Sequence, residues 1–344
     1  MALFSRKPDT ARWVRGVPWP SLRTGKKDIS AGCVFVPCGT GLIAYHGSDM
    51  AYYYIKDHSS IQDDQEHDAQ FLLSGIDHLF VKHEDGGQIL VTGKDVTRHS
   101  VMSVFEDDLW IYLGDMKTYL RVAGWVDIAP IGFAAPEEIE EAGPDLLVRA
   151  SDGSFLYLHE GISTEDALLT TMDSDIFVHS DSLGLDCAFR DALDQEAGDG
   201  MGAAARATED DALYRNEGEY CLLWRAGREM VDGSIKHYDD GAIIYAPTPQ
   251  PAYFTLAAEA APNNGDIASA RRIAGGSPVI ALRFKDNIYV HVEGEYRTPR
   301  LEFGRKEDLL FAIDRERQTM YVFKDFYLFP EDTWQNGDTV RMET

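Results

Sequence analysis

The feature that most constrains this chain is a short alternating apolar or aromatic run, closed by a glycine- or aspartate-rich turn and repeated from end to end. Val34 to Pro37, Leu42 to Tyr45 and Ala51 to Ile55 are separated by Cys38-Gly39-Thr40-Gly41 and His46-Gly47-Ser48-Asp49. That pattern predicts a β-meander. His78 to Lys82 and Gln88 to Thr92 flank Glu84-Asp85-Gly86-Gly87, and Leu146 to Ala150 and Phe155 to His159 flank Ser151-Asp152-Gly153. Asp-Gly supplies the positive φ that tight hairpin turns require. Further hairpins are predicted at Leu109 to Val122, Val279 to Val292 and Leu309 to Phe323. The expected fold is mainly β, an antiparallel meander or hairpin architecture with short connecting helices. It is open to a degenerate β-propeller or to two β-rich halves, because acid-flanked strands recur without an evident period of 20 to 50 residues.

Helices are predicted at Asp63 to Leu73, Glu165 to Thr171, Ser182 to Leu193, Ala203 to Tyr214 and Asp266 to Ala274. The Ser182 to Leu193 helix rests on Leu185, Phe189 and Leu193 recurring every fourth position. The division that follows is a basic arm over residues 1–27, a β-rich half over 28–181, a helical linker over 182–215 and a second β-rich half over 216–344. The arm carries seven Lys and Arg residues against Asp9 alone. It is expected to lie on its own acidic body, anchored by Trp13 and Trp19.

Motifs of catalysis do not assemble. Cys38-Gly39-Thr40-Gly41-Leu42-Ile43-Ala44 has dinucleotide-loop spacing, but a Tyr-rich strand follows where a phosphate-binding helix is needed, so it reads as a hairpin turn. Cys33, Cys38, Cys187 and Cys221 form no CxxC pair, and the odd spacing of the first two puts them on opposite faces of a strand. Asp57, His58, Asp63, Asp64, Glu66, His67 and Asp68 match no zinc or calcium spacing. No cofactor and no metal are expected. No apolar run reaches the roughly 18 residues of a membrane span and no signal-peptide core opens the chain, which predicts a cytoplasmic protein without membrane partners.

Charge then decides among function classes. With 58 Asp and Glu against 32 Lys and Arg the net charge is -26, which repels phosphate backbones and anionic lipids and leaves nucleic acid only the N-terminal arm. The expectation is a non-enzymatic protein-binding module that docks a basic partner, as an inhibitor or immunity protein neutralising a toxin would. Its partner-binding residues are taken as Asp57, Asp63, Asp64, Glu66 and Asp68, with Tyr52 and Tyr54 sharing one strand face. Two alternatives stand beside it: a hydrolase or carbohydrate-active enzyme with a carboxylate pair in an aromatic-lined cleft, and a structural component of an assembly.

Overall fold

The computed structural model describes residues 11–14, 21–24, 27–62, 65–83, 86–139, 142–208, 211–218, 220–238, 241–248, 250–257, 263–284, 287–328 and 333–342. The fold is almost entirely antiparallel strand, and every helix among the described residues is a single three-residue 3-10 turn. The predicted hairpins form: Cys33–Cys38, Gly41–His46 and Ala51–Ile55 make the first meander, with Cys38 opposite Gly41 across its glycine turn. Cys33 and Cys38 do face opposite ways, one into each of two cores, and none of the four cysteines is in a disulfide.

The predicted helices do not form. Glu66–Ser74, Leu168–Met172, Leu185–Phe189, Ala205–Thr208, Ala212–Asn216 and Ile267–Gly275 are strands. The physical reason differs by site. Leu185 and Phe189, four apart, share a face in a strand as well as in a helix, so their spacing does not discriminate. A narrow barrel needs small side chains inside it: Ala212 and Ala270, from two of the predicted helices, are buried in its interior with Ala242, Ala246 and Ala252. Residues 182–215 are thus not a helical linker. Nor is 1–27 wholly an arm, since Ala11–Val14 and Ser21–Thr24 are strands of the first sheet and Trp13 is buried in its core; Trp19 lies outside the described residues.

A strict period emerges in three dimensions. Strands opening equivalent blocks begin at Ala11, His78, Asp145, Ala212 and Val279, each 67 residues after the one before. In the second block, His78–His83, Gly86–Val91, Lys94–Asp95 and Gly132–Ala134 form a leading sheet. Ser100–Phe105, Asp108–Leu113, Thr118–Val122 and Glu137–Ile139 form a trailing sheet. In the fourth block, long continuous strands Arg228–Tyr238 and Ile267–Gly275 run through both sheets and close a six-stranded barrel. The hydroxyl of Ser30, Thr97 or Thr298 accepts the same backbone N–H of its block, from Leu22, Ile89 or Val290.

By contact, the chain forms two compact units, one of residues 1–163 with 197–202 and one of residues 164–196 with 203–344. In each, cores inside a block alternate with cores between blocks. Leu109, Ile111, Leu120 and Val122 fill the interior of block two, while Trp110, Tyr112 and Tyr119 of its trailing sheet pack on Leu146, Val148 and Leu158 of the next leading sheet. Cross-strand pairs Leu79–Leu90, Leu146–Leu158, Leu213–Trp224 and Ile280–His291 occupy equivalent places on successive leading sheets. In the first block that pair is Arg12–Arg23, and both are exposed.

Each joint carries a polar latch. Tyr52, Tyr119 and Tyr253, separated by one and then two periods of 67, are fully buried tyrosines of trailing sheets. The Tyr119 hydroxyl donates to the Pro144 carbonyl at 3.0 Å and accepts the Gly161 N–H at 2.8 Å. Tyr52 bonds Asp77 and Gly93 in the same way, and Tyr253 bonds Pro278 and Gly294. Burial raises all three phenol pKa values, so the hydroxyls remain donors at every ordinary pH. The glycines are needed twice over: Gly161 has φ +82°, and a Cβ there would lie 2.8 Å from Tyr112 Cβ. Gly153, with φ +87°, faces open space. Gly153→Ala is therefore expected to cost about 1–2 kcal/mol for the left-handed backbone alone. Gly161→Ala should cost about 1–3 kcal/mol more, from overpacking. Denaturant midpoints of the two variants check the difference.

Candidate interaction surface

The predicted partner-binding residues are brought only partly together. Tyr52 is completely buried in the joint between blocks one and two, so its assignment to a partner surface is corrected: the aromatic face it shares with Tyr54 is core. Tyr54 packs on Phe133 at a centroid distance of 5.1 Å. Asp57 is exposed, with φ 49°, before a 3-10 turn in which the Ser60 hydroxyl donates to its carbonyl. Glu66 pairs with Arg12 at 3.0 Å, and Asp68 stands opposite Arg12 in the ladder. Asp63 and Asp64 lie outside the described residues. Part of the acidic stretch is thus answered by Arg12 of the first hairpin, and it is not the centre of the charge.

Knowing the period locates that centre. Residues 145–211, the third block, hold 16 Asp and Glu against three Arg, half of the protein's entire charge excess. Ten of these carboxylates are exposed, among them Glu160, Glu165, Asp181 and Glu196. The Ser182 N–H and the Ser180 and Ser182 hydroxyls hold Asp166 below the usual carboxylate range, and the Ser154 hydroxyl and N–H do the same for Asp152. Both therefore remain anionic well into acid. Hairpin turns at one equivalent place also carry exposed acids, with Glu106 and Asp107 in block two, Asp173 in block three and Glu307 and Asp308 in block five. No residue motif marks this concentration; counting charge in windows of the repeat length would have found it.

The joint after the third block is also distinct. Where the others have a tyrosine, it has Asp186, whose buried carboxylate accepts the Ala226 N–H at 2.8 Å and faces His179 Nδ1 at 2.9 Å. His179 Nε2 faces the exposed Asp181 at 3.1 Å, so the ring lies between two carboxylates. The next joint holds His291, fully buried beside Tyr253, Tyr296 and Trp334. Burial pushes its pKa down to about 4.

No group of three or more metal-ligating side chains occurs among the described residues. A surface cavity of about 430 Å³ on the fifth block is lined by Val322, Lys324, Trp334, Gln335, Asn336 and Asp338. Its one carboxylate is tied to Lys324 at 2.7 Å, whereas glycoside hydrolysis requires two carboxyls, roughly 5 to 9.5 Å apart. No helix among the described residues is long and apolar enough to cross a membrane.

The His291 environment gives a pH prediction. An unfolded histidine titrates near 6.5, so the buried neutral ring contributes stability that is complete above about pH 6.5 and is lost as pH falls toward 4. His291→Phe should flatten the unfolding free energy between those limits, read by denaturant titration at successive pH values.

No protein-family model matches the sequence, and no curated protein resembles it significantly. Among solved structures, apo AztD from Citrobacter koseri aligns over 76% of this chain and 97% of its own, with 13% identity and a TM-score of 0.16. The computationally designed Ika8 protein aligns over 99% and 88%, with 8% identity and a TM-score of 0.15. Hsv2 of Kluyveromyces lactis aligns over 88% and 96%, with 10% identity and a TM-score of 0.14. Scores this low define neither a fold family nor a function, and the chain is assigned to none.

Proposed function

We propose that this protein is a non-enzymatic repeat scaffold, cytoplasmic, that docks a basic protein partner, in the manner of an inhibitor or immunity protein neutralising a toxin. The observation that carries the proposal is the concentration of half the net negative charge in residues 145–211, most of it exposed. Like charges packed this closely weaken a fold by self-repulsion. What they favour is encounter: clustered carboxylates steer a cationic surface and accelerate association more than they tighten it. Repeat arrays supply extended surfaces for such contacts. Four cysteines held as thiols accord with a reducing compartment.

The test is capture from native lysate, at about 50 mM and about 300 mM salt, by the natural chain and by a variant carrying Glu160→Lys, Glu165→Lys, Asp194→Lys and Glu196→Lys. All four positions are exposed. The expected result is a set of net-positive proteins held at low salt, released at high salt and missed by the variant. Retention of the same set by the variant at both salt concentrations would overturn the proposal.

A further inference from the structure

Four sheet edges among the described residues are strands of five residues or more that follow the short third strand of a block, and three of them are protected. Cys33–Cys38 contains Pro37, which has no N–H to offer, and lies beside Lys94–Asp95 of the following block. Ser100–Phe105 lies beside Ile162–Ser163, and its Ser103 hydroxyl bonds the Gly161 carbonyl. Glu302–Lys306 carries Glu302, Arg305 and Lys306. Charges and proline on an edge are how soluble proteins prevent stray strand pairing.

The fourth edge lacks every such device. Leu168–Met172 reads Leu-Leu-Thr-Thr-Met, without charge, proline or bulge, and pairs only with Asp175–Ser180 on its inner side. Leu168 is 59% exposed and Leu169 39%, and both threonines are exposed. In an antiparallel ladder the inner neighbour takes the backbone groups of alternate residues, so the others face outward. At the Leu168 end stand Glu165, Asp166 and Asp181, all exposed, and at the Met172 end stands Asp173, exposed and paired with Arg215 at 2.6 Å.

We infer that Leu168–Met172 is a strand-addition site, which takes an extended segment of a protein partner bearing lysine or arginine at alternate or flanking positions. The inference rests on the acidic-scaffold reading above and specifies what that scaffold grips. Backbone bonds along the edge hold the segment, the exposed leucines take its apolar side chains, and the carboxylates at the strand ends select for cations. A second copy of this chain fits less well, because each would bring the same carboxylates to the other's strand ends.

The probe is an end-capped seven-residue peptide alternating lysine and valine, with three companions: one N-methylated at every lysine, one N-methylated at every valine, and one with glutamate for lysine. Titration against the full-length protein at low salt and hydrogen exchange of the amides of residues 168–172 are the readouts. The lysine peptide should bind and slow exchange of the outward amides about tenfold or more. One N-methylated form should bind about tenfold or more weakly while the other binds nearly as well, because only one alternate set of peptide N–H groups meets the edge. The glutamate peptide should not bind. Salt-sensitive binding that tolerates both N-methylations and leaves the 168–172 amides unprotected would overturn strand addition while leaving the acidic scaffold standing. Failure of the lysine peptide to bind would likewise overturn strand addition, and the lysate capture then judges the scaffold separately. Equal binding of the glutamate and lysine peptides would remove the charge selectivity and overturn the inference as stated.

Discussion

The structure depends on how closely one sheet can approach the next. A trailing sheet buries large aromatics on its outward face, and these are satisfied only if the following leading sheet comes near enough for a tyrosine hydroxyl to reach its backbone. The glycine at each latch makes the approach possible, since at Gly93 a Cβ would lie 2.5 Å from Tyr45 Cβ and at Gly161 2.8 Å from Tyr112 Cβ. The hydroxyl then supplies a partner for a glycine N–H that would otherwise be buried unpaired, an omission costing about 1–3 kcal/mol. Apolar area drives the stacking and the latch fixes its register. The joint built on His179 and Asp186 keeps the same geometry with a carboxylate as the acceptor, showing that the fold requires an acceptor there more than it requires a phenol.

Much of this was legible before any coordinates. Alternation and Asp-Gly or glycine turns placed the hairpins at Leu109 to Val122, Val279 to Val292 and Leu309 to Phe323 correctly, because side-chain period and turn chemistry are local properties. The opposed faces of Cys33 and Cys38, and of Tyr52 and Tyr53, followed from the same period. The helices failed where local preference lost to packing. Alanine favours a helix in isolation, yet in the fourth block it is the side chain small enough for the inside of a six-stranded barrel. Acidic residues that resemble a helix start, Glu66 and Asp68, instead meet Arg12 of the neighbouring strand, Asp68 opposite it in the ladder and Glu66 as its ion-pair partner.

The repeat escaped notice for a different reason. Its period exceeds that of most solenoid units because each repeat spans two sheets, and few positions keep their residue type. Tyr52, Tyr119 and Tyr253 are exactly in phase, but His179 and Asp186 break the aromatic series in the third block. The latch glycines drift by a residue, at 93, 161, 227 and 294. What recurs is a backbone requirement, positive φ with no room for a side chain, and that is visible only once neighbouring sheets are in place.

The third block departs from the others in three respects at once: it holds half the charge excess, its latch is a carboxylate beside an imidazole, and its outer edge strand is bare. These departures share a physical logic. Carboxylates crowded at the surface repel one another, and an unprotected edge invites pairing, so each alone is a liability to a folded chain. Together they offset one another's hazards. Surrounding negative charge disfavours another copy of the same acidic chain at the bare strand, and the proposed partner, an extended cationic segment, is the ligand that such a charge would admit there. In that proposal the acids take, without a charge inside the strand itself, the protective role that Glu302, Arg305 and Lys306 take on the equivalent edge of the fifth block, and the strand stays open to a ligand of opposite sign.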